Sequence, residues 1–342
     1  MKKLLTSFSM LAFIICFLMI AGCDKTNTPC PVCPAGGTVT TYKVTATVLG
    51  PSGAPQGGAT LSLVNPPNQT GTFSTLTDST GKGTIDAPAG PQQLTATIGT
   101  VFQVTINITV TVNATNVPQN VGTVKLQQNT SLGKTLVIFA GCEQIENVLA
   151  DTSIAYTTFD NNIVDTMRAW VNRDSVAVLN YLKQYAIVFS DCNCGDESGY
   201  PLLARVYGQY VRQGGKIYGG HYNYMNLQYI FAPSYNNNSQ VYGSGDSLKI
   251  INTNLSVALG YSVIQFSVLS TYQMFSEIPV GNTTVFAVMA GSAGSASSPQ
   301  GIPIIVENRL GTGKYVWTNY HNQNILSDPR LVRIVRYFLY TM

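Results

Sequence analysis

The chain has 342 residues, enough for two domains that each bury a core, and only 10% of them are charged. The formal charge is +3, and without Lys2 and Lys3 it falls to 17 bases against 16 acids, about +1, which argues against nucleic acid as a partner. Beyond the N-terminal segment no apolar run approaches the ~18 residues that a membrane span needs.

The chain opens with Lys2 and Lys3, followed by an almost wholly apolar run from Met10 to Ile20 and then Ala21-Gly22-Cys23. The run is short for a membrane helix, and the small residues stand where a signal is cut. This segment resembles a bacterial lipoprotein signal. The resemblance implies a signal peptide over 1–22, diacylglycerol and palmitate on Cys23, and a mature chain held at a membrane by its lipid. It implies an exported protein of the cell envelope, at the outer membrane or on the periplasmic face of the inner one. Asp24 is similar to the inner-membrane retention signal of enteric bacteria, whereas a long spacer fits display from the outer membrane.

Residues 23–40 are rich in Pro, Gly and Thr and read as a flexible tether. Within them Cys30 and Cys33 form a C-x-x-C among Pro29, Pro31 and Pro34. A zinc site would need a second pair and a thioredoxin-like site a strand leading into a helix, so a small local disulfide is the expectation.

From 41 to 128 the pattern becomes short alternating runs, Tyr42 to Leu49, Ala59 to Val64, Gln92 to Ile98, Phe102 to Val112 and Gly122 to Leu126, separated by Gly, Pro and Asn clusters. This spacing predicts a small all-β sandwich, immunoglobulin-like or transthyretin-like. Asp78 can cap its own turn in Thr77-Asp78-Ser79-Thr80-Gly81, and Gly81 can take positive φ at the bend. With Pro51-Ser52-Gly53-Ala54-Pro55, Gly58-Ala59-Thr60-Leu61 and Ala89-Gly90, these residues resemble the carboxypeptidase regulatory-like domain. That resemblance implies a spacer or adhesion module and no peptidase activity.

From 131 to 342 strands and helices alternate. Thr135 to Ala140, Ile154 to Thr157, Tyr185 to Ser190 and Lys216 to Tyr218 read as strands. Helices are expected over Glu143 to Leu149, over Asp174 to Lys183 with Val176, Leu179 and Leu182 on the buried face, and over Tyr200 to Gln213, stopped by Gly214-Gly215. Later strands at Val263 to Leu269, Thr284 to Met289, Ile302 to Glu307 and Tyr315 to Thr318 predict an antiparallel portion. The chain closes on a helix opened by Ser327-Asp328-Pro329, with Leu331, Ile334, Val335, Phe338 and Leu339 as its stripe. The fold class is therefore multidomain: a small all-β sandwich, then an α/β three-layer domain with a mostly parallel sheet. Lys134 to Phe139, Tyr210 to Tyr218 and Pro303 to Lys314 resemble the class I glutamine amidotransferase-like superfamily in its divergent flavodoxin-like branch.

Ligands of a parallel sheet sit at the carboxyl ends of its strands. The residues falling there are Cys142-Glu143, Asp191-Cys192-Asn193-Cys194, Gly219-Gly220-His221-Tyr222 and Asn319-Tyr320-His321-Asn322. Catalytic members of that superfamily place a nucleophilic cysteine on the turn after the fourth strand, where this chain has Gly220-His221-Tyr222. Tyr320-His321-Asn322 resembles the family's histidine passage, but the acid expected two residues later is Gln323. Glutaminase activity is not expected, and no cofactor or metal is. Two histidines, three cysteines, Glu143, Asp191 and Glu197 leave a zinc or copper site open, against a disulfide from Cys142 to Cys192 or Cys194. Tyr222, Tyr224, Tyr229, Tyr235 and Tyr242, interleaved with Asn223, Asn226 and Asn236 to Asn238, suit stacking on a glycan, or else some pack on the sheet while the Asn run forms a loop. The expected protein is a lipid-anchored envelope protein whose non-catalytic domain binds a ligand, a glycan or an envelope protein, through Glu143, Asp191, His221, Tyr222, Tyr224 and His321. The alternative is a hydrolase of the periplasm or cell surface, acting on a glycan or peptide with His221 and His321, alone or with a metal.

Overall fold

The computed structural model describes residues 39–68, 70–99, 101–112, 117–129, 133–139, 145–151, 154–160, 166–191, 201–220, 223–231, 240–275, 282–290, 301–320 and 328–342. They are mostly β, in three sheets. The first eight strands are β1 (Thr41–Leu49), β2 (Thr60–Leu63), β3 (Ser74–Leu76), β4 (Lys82–Pro88), β5 (Gly90–Ile98), β6 (Phe102–Val110), β7 (Gln119–Lys125) and β8 (Gln127–Gln128). They form one sheet in the order β4-β1-β7 and a second in the order β3-β2-β5-β6-β8. Alternation decides which side chains face inward: β1 buries Val44, Ala46 and Val48, and β5 buries Leu94, Ala96 and Ile98. The turn at Asp78 carries the chain from β3 in one sheet to β4 in the other. Asp78 Oδ1 accepts from the Thr80 N–H at 2.8 Å, the Thr80 hydroxyl at 2.7 Å and the Lys82 N–H at 3.1 Å, and Gly81 takes φ +76°. Partial burial works against its charge, but these bonds hold the carboxyl below its usual range.

The rest of the chain contributes β9 (Thr135–Phe139), α1 (Ile145–Asp151), β10 (Tyr156–Asp160), α2 (Thr166–Arg173), α3 (Ser175–Leu182), β11 (Ile187–Ser190), α4 (Pro201–Arg212), β12 (Lys216–Gly219) and α5 (Tyr224–Phe231). It continues with β13 (Gln240–Ile250), α6 (Thr253–Leu259), β14 (Val263–Phe275), β15 (Thr283–Met289), β16 (Pro303–Leu310), β17 (Gly313–Thr318) and α7 (Pro329–Thr341). The strands make one sheet in the order β10-β9-β11-β12-β17-β16-β15-β13-β14. Its pairings are parallel from β10 to β17 and antiparallel from β17 to β14. The expectation of a mostly parallel sheet thus holds for one half. The other half is antiparallel because tight connections such as Gly311-Thr312 between β16 and β17 leave no room for a crossover.

Both faces of this sheet are apolar. Leu136, Ile138, Val188, Ile217 and Trp317 pack with α2, α3, α4 and α5, while Val137, Ile187, Phe189, Tyr218 and Val316 pack with α1, α6 and α7. On α3 the buried residues are Val178, Leu179 and Leu182, and Val176, expected among them, is 65% exposed. At 3.6 residues per turn those three share a side and Val176 falls outside it. Asp174 fixes the start of α3 by accepting from the Ala177 N–H at 2.9 Å.

The residues from Thr40 to Met342 cluster as one unit, and the core buried by β1–β8 runs without a break into the α7 side of the large sheet. Among the described residues one face of the large sheet has a cluster of its own, while the core buried by β1–β8 is continuous with its other face. Helix α7 is the reason: besides the five residues of its expected stripe it buries Val332, Tyr337 and Tyr340. Phe338 meets Phe286 of the large sheet edge-on at 4.9 Å, and Tyr340 meets Phe102 of β6 in the same way at 4.9 Å. Backbones touch where they join. A Cβ on Gly57 would lie 2.2 Å from the Ala258 carbonyl oxygen, and one on Gly99 would lie 2.0 Å from that of Tyr340. Arg333 ties the parts together, donating to Leu259 O at 3.2 Å and Ser79 O at 2.7 Å.

Candidate functional site at the strand ends

Parallel register sets β9, β11, β12 and β17 side by side, with Ser190 opposite Gly219 and Gly219 opposite Trp317. Their carboxyl ends therefore open on one edge of the sheet, and the residues that follow, Asp191, Gly220 and Asn319, lie along it. Asp191 is buried, and its N–H donates to Ile138 O at 3.0 Å. Gly220 donates to Ser190 O at 3.2 Å and accepts from the Asn223 N–H at 2.9 Å, a tight turn that leads into α5.

That turn places the Asn223 side chain at the centre of a buried polar knot. Its Oδ1 accepts from Ser190 Oγ at 3.1 Å, Asn226 Nδ2 at 2.9 Å and the Tyr315 hydroxyl at 3.3 Å. Its Nδ2 donates to the backbone carbonyls of Ser190 at 2.9 Å and Asp191 at 3.2 Å. Tyr207 closes the group, its hydroxyl 3.4 Å from Ser190 Oγ, and burial pushes its phenol up to about 12. The knot also explains Gly219, where a Cβ would lie 2.7 Å from the Tyr315 hydroxyl and 2.9 Å from Asn223 Cβ. Asn223 and Asn226, which one of two readings offered to a sugar, are 4% and 8% exposed and engaged by the protein itself.

One strand over, the situation reverses. Thr318 ends β17 and Asn319 follows it, both with no exposed surface, and Asn319 N–H donates to Ile304 O at 2.8 Å. Yet neither carboxamide atom of Asn319, nor the Thr318 hydroxyl, has a hydrogen-bond partner among the described residues. At the first turn of α1, Glu146 Oε2 is likewise buried without a partner among the described residues, and burial raises its carboxyl above the usual range against a backbone bond that lowers it.

Of the residues singled out from sequence, Asp191 lies in this floor and Tyr224 begins α5. Cys23, Cys30, Cys33, Cys142, Glu143, Cys192, Cys194, His221, Tyr222 and His321 lie outside the described residues. Among the described residues no group of three His, Cys, Asp or Glu is placed to hold a metal ion, and no helix is long and apolar enough to cross a membrane. Ser190, Tyr207, Tyr315 and the inward-facing Asn223 and Asn226 were not anticipated as a group. Their available signal was a Gly219-Gly220 turn followed by two asparagines three residues apart.

No family model matches the chain, and none of the curated proteins does. Among solved structures it is similar to a GMP synthase subunit from Thermoplasma acidophilum, with 12% identity and a TM-score of 0.38 over 60% of this chain and 95% of that one. A ThuA-like protein of Parabacteroides merdae gives 13% identity and a TM-score of 0.37, over 61% and 90%. PurLQS from Thermotoga maritima gives 11% and 0.37, over 60% and 97%.

Proposed function

We propose that this is a lipid-anchored bacterial envelope protein in which the strand-end edge of the large sheet binds a glycan and does not cleave it. In this reading the large sheet with its helices is a divergent, non-catalytic amidotransferase-like α/β domain, and the sandwich is a carboxypeptidase regulatory-like module. The Asn319 carboxamide carries the proposal. A buried amide with neither donor nor acceptor engaged costs about 1–3 kcal/mol, and a fold under no other demand would replace it by an apolar side chain. A ligand entering beside Gly220 would supply the missing partners, and a sugar hydroxyl, which both donates and accepts, matches a carboxamide. The lack of chemistry in the reading rests on the turn after β12, where Gly219-Gly220-His221-Tyr222 stands in place of a nucleophile and the Asn223 knot holds the backbone rigid.

The test is a glycan array probed with the full chain in non-ionic detergent, beside its Asn319→Leu variant. Binding by the wild type and loss in the variant are expected. Signal that survives Asn319→Leu removes the amide from the site, and release of a cleaved product from any bound glycan establishes the hydrolase instead.

A further inference from the structure

We propose that the outer face of the five-stranded sheet, β3-β2-β5-β6-β8, binds an extended, uncharged polysaccharide. Residues 87–124 contain no Asp, Glu, Lys, Arg or His, although they supply the hairpin β5-β6 and most of β7. Between 41 and 128 the charged residues are Lys43, Asp78, Lys82, Asp86 and Lys125. Asp78 lies in its turn, and the other four lie on β1, β4 and β7, where Lys43 and Asp86 pair at 2.9 Å. The three-stranded sheet thus carries the charge of its strands, and the five-stranded sheet carries none. An ordinary solvated face mixes charges of both signs.

Strand alternation turns Leu61, Leu94, Ala96 and Ile98 inward and sets hydroxyls and amides outward. Register aligns them in rows. Ser62, Thr95 and Thr105 form one row, Thr60, Thr97 and Gln103 the next, and Gln93 stands beside Asn107 in a third. Such positions repeat every ~4.8 Å across strands and ~6.7 Å along them. Neighbours in a row hold each other in place: the Thr95 and Thr105 hydroxyls lie 2.9 Å apart, and Gln93 Nε2 donates to Asn107 Oδ1 at 3.0 Å. The threonine pair keeps one hydroxyl proton, and lone pairs on both oxygens, for an outside partner. Beyond Gln103 no described strand pairs with the outer edge of β6. There the face runs into an open groove of about 510 Å³, edged by Asn107, Thr109, Thr111, Gln119 and Asn120.

This chemistry selects the occupant. A charged ligand would shed hydration and meet no countercharge. A second protein surface is met by aromatic, Met and Arg side chains with Ser depleted, whereas the outward positions of these strands hold no ring. Sugar hydroxyls donate and accept as Thr, Asn and Gln do, and a continuous polymer lets weak contacts along several rows add.

The face belongs to a different sheet from the strand ends and does not rest on the function proposed for them. Native electrophoresis of the full chain in non-ionic detergent tests it, through gels containing hydroxyethyl cellulose, glucomannan or xylan, with alginate as the acidic control. Retardation by at least one neutral polymer and none by alginate is expected. Thr95→Val with Thr105→Val removes the hydroxyls and keeps the β-branched shape, and should raise the polymer concentration for half-maximal retardation about tenfold. Thr105→Lys, which sets an unmatched charge in the middle of the face, should weaken binding at least as much. Thr45→Val with Thr84→Val removes a like pair, 2.7 Å apart, from the three-stranded sheet and should leave retardation unchanged. Urea midpoints near that of the wild type show that each variant is folded. No retardation by any neutral polymer, equal retardation by alginate, wild-type retardation in Thr95→Val with Thr105→Val, or loss in Thr45→Val with Thr84→Val would overturn the proposal. Retardation lost in Asn319→Leu and kept in Thr95→Val with Thr105→Val would overturn it too, by assigning the polymer to the strand ends.

Discussion

Asn223 and Asn319 stand at the carboxyl ends of neighbouring parallel strands, both buried, and their amides are treated in opposite ways. Asn223 makes five side-chain hydrogen bonds, to Ser190 Oγ, Asn226, Tyr315 and two backbone carbonyls, whereas Asn319 makes none among the described residues. A fully engaged buried amide belongs to the fold, because removing it strands several partners at once. One left without partners among the described residues lowers stability as it stands, and on the proposed reading a ligand supplies what it lacks. On the proposed reading the two residues separate structure from function on one edge of one sheet.

Substitutions can break that contrast, and the largest effect belongs to the knot. Asn223→Leu should destabilise the chain by about 3 kcal/mol or more, measured by urea unfolding, because Ser190 Oγ, the Tyr315 hydroxyl and two carbonyls each lose a hydrogen bond in a buried site. Gly219→Ala should follow at about 2 kcal/mol by the same measurement, since its Cβ must displace the Tyr315 hydroxyl or the Asn223 side chain. Tyr207→Phe should change little at neutral pH and show itself in alkali. The folded phenol sits at about 12 against an ordinary 10.0, so its contribution is complete below pH 10 and is lost as pH rises towards 12. The variant should therefore lose less stability than the wild type between pH 10 and 12, in unfolding curves taken across that range. Asn319→Leu is expected to have the smallest effect on stability: no loss, or a gain of about 1 kcal/mol.

Much of the strand framework was legible because β-rich runs bounded by Gly, Pro and Asn leave few alternatives, as at β1, β5, β9 and β11. Gly214 marked the end of α4, and the Asp328-Pro329 start with its apolar stripe marked α7. Residues 224–259 were not legible. Asn223, just before helix α5, and Asn226 within it are buried, so the usual polar-out pattern is inverted at its start and leaves no apolar stripe to read. The packing of β1–β8 against α7 was hidden for a different reason. Gly57 and Gly99 look in sequence like turn glycines, and only the packed backbones of Ala258 and Tyr340 show that close approach is what excludes a side chain there. At the strand ends topology pointed to this edge, but interest fell on the titratable residues. Asn319 stood in the same quoted run as His321, and nothing in a linear sequence tells a satisfied amide from an unsatisfied one.

The central claim is that Asn319 is retained for a ligand and not for the fold, and urea unfolding of Asn319→Leu beside the wild type, both free of ligand, tests it most directly. The account predicts an equal or higher midpoint with an unchanged slope. A midpoint lowered to the extent seen in Asn223→Leu would contradict it and return Asn319 to the structural framework.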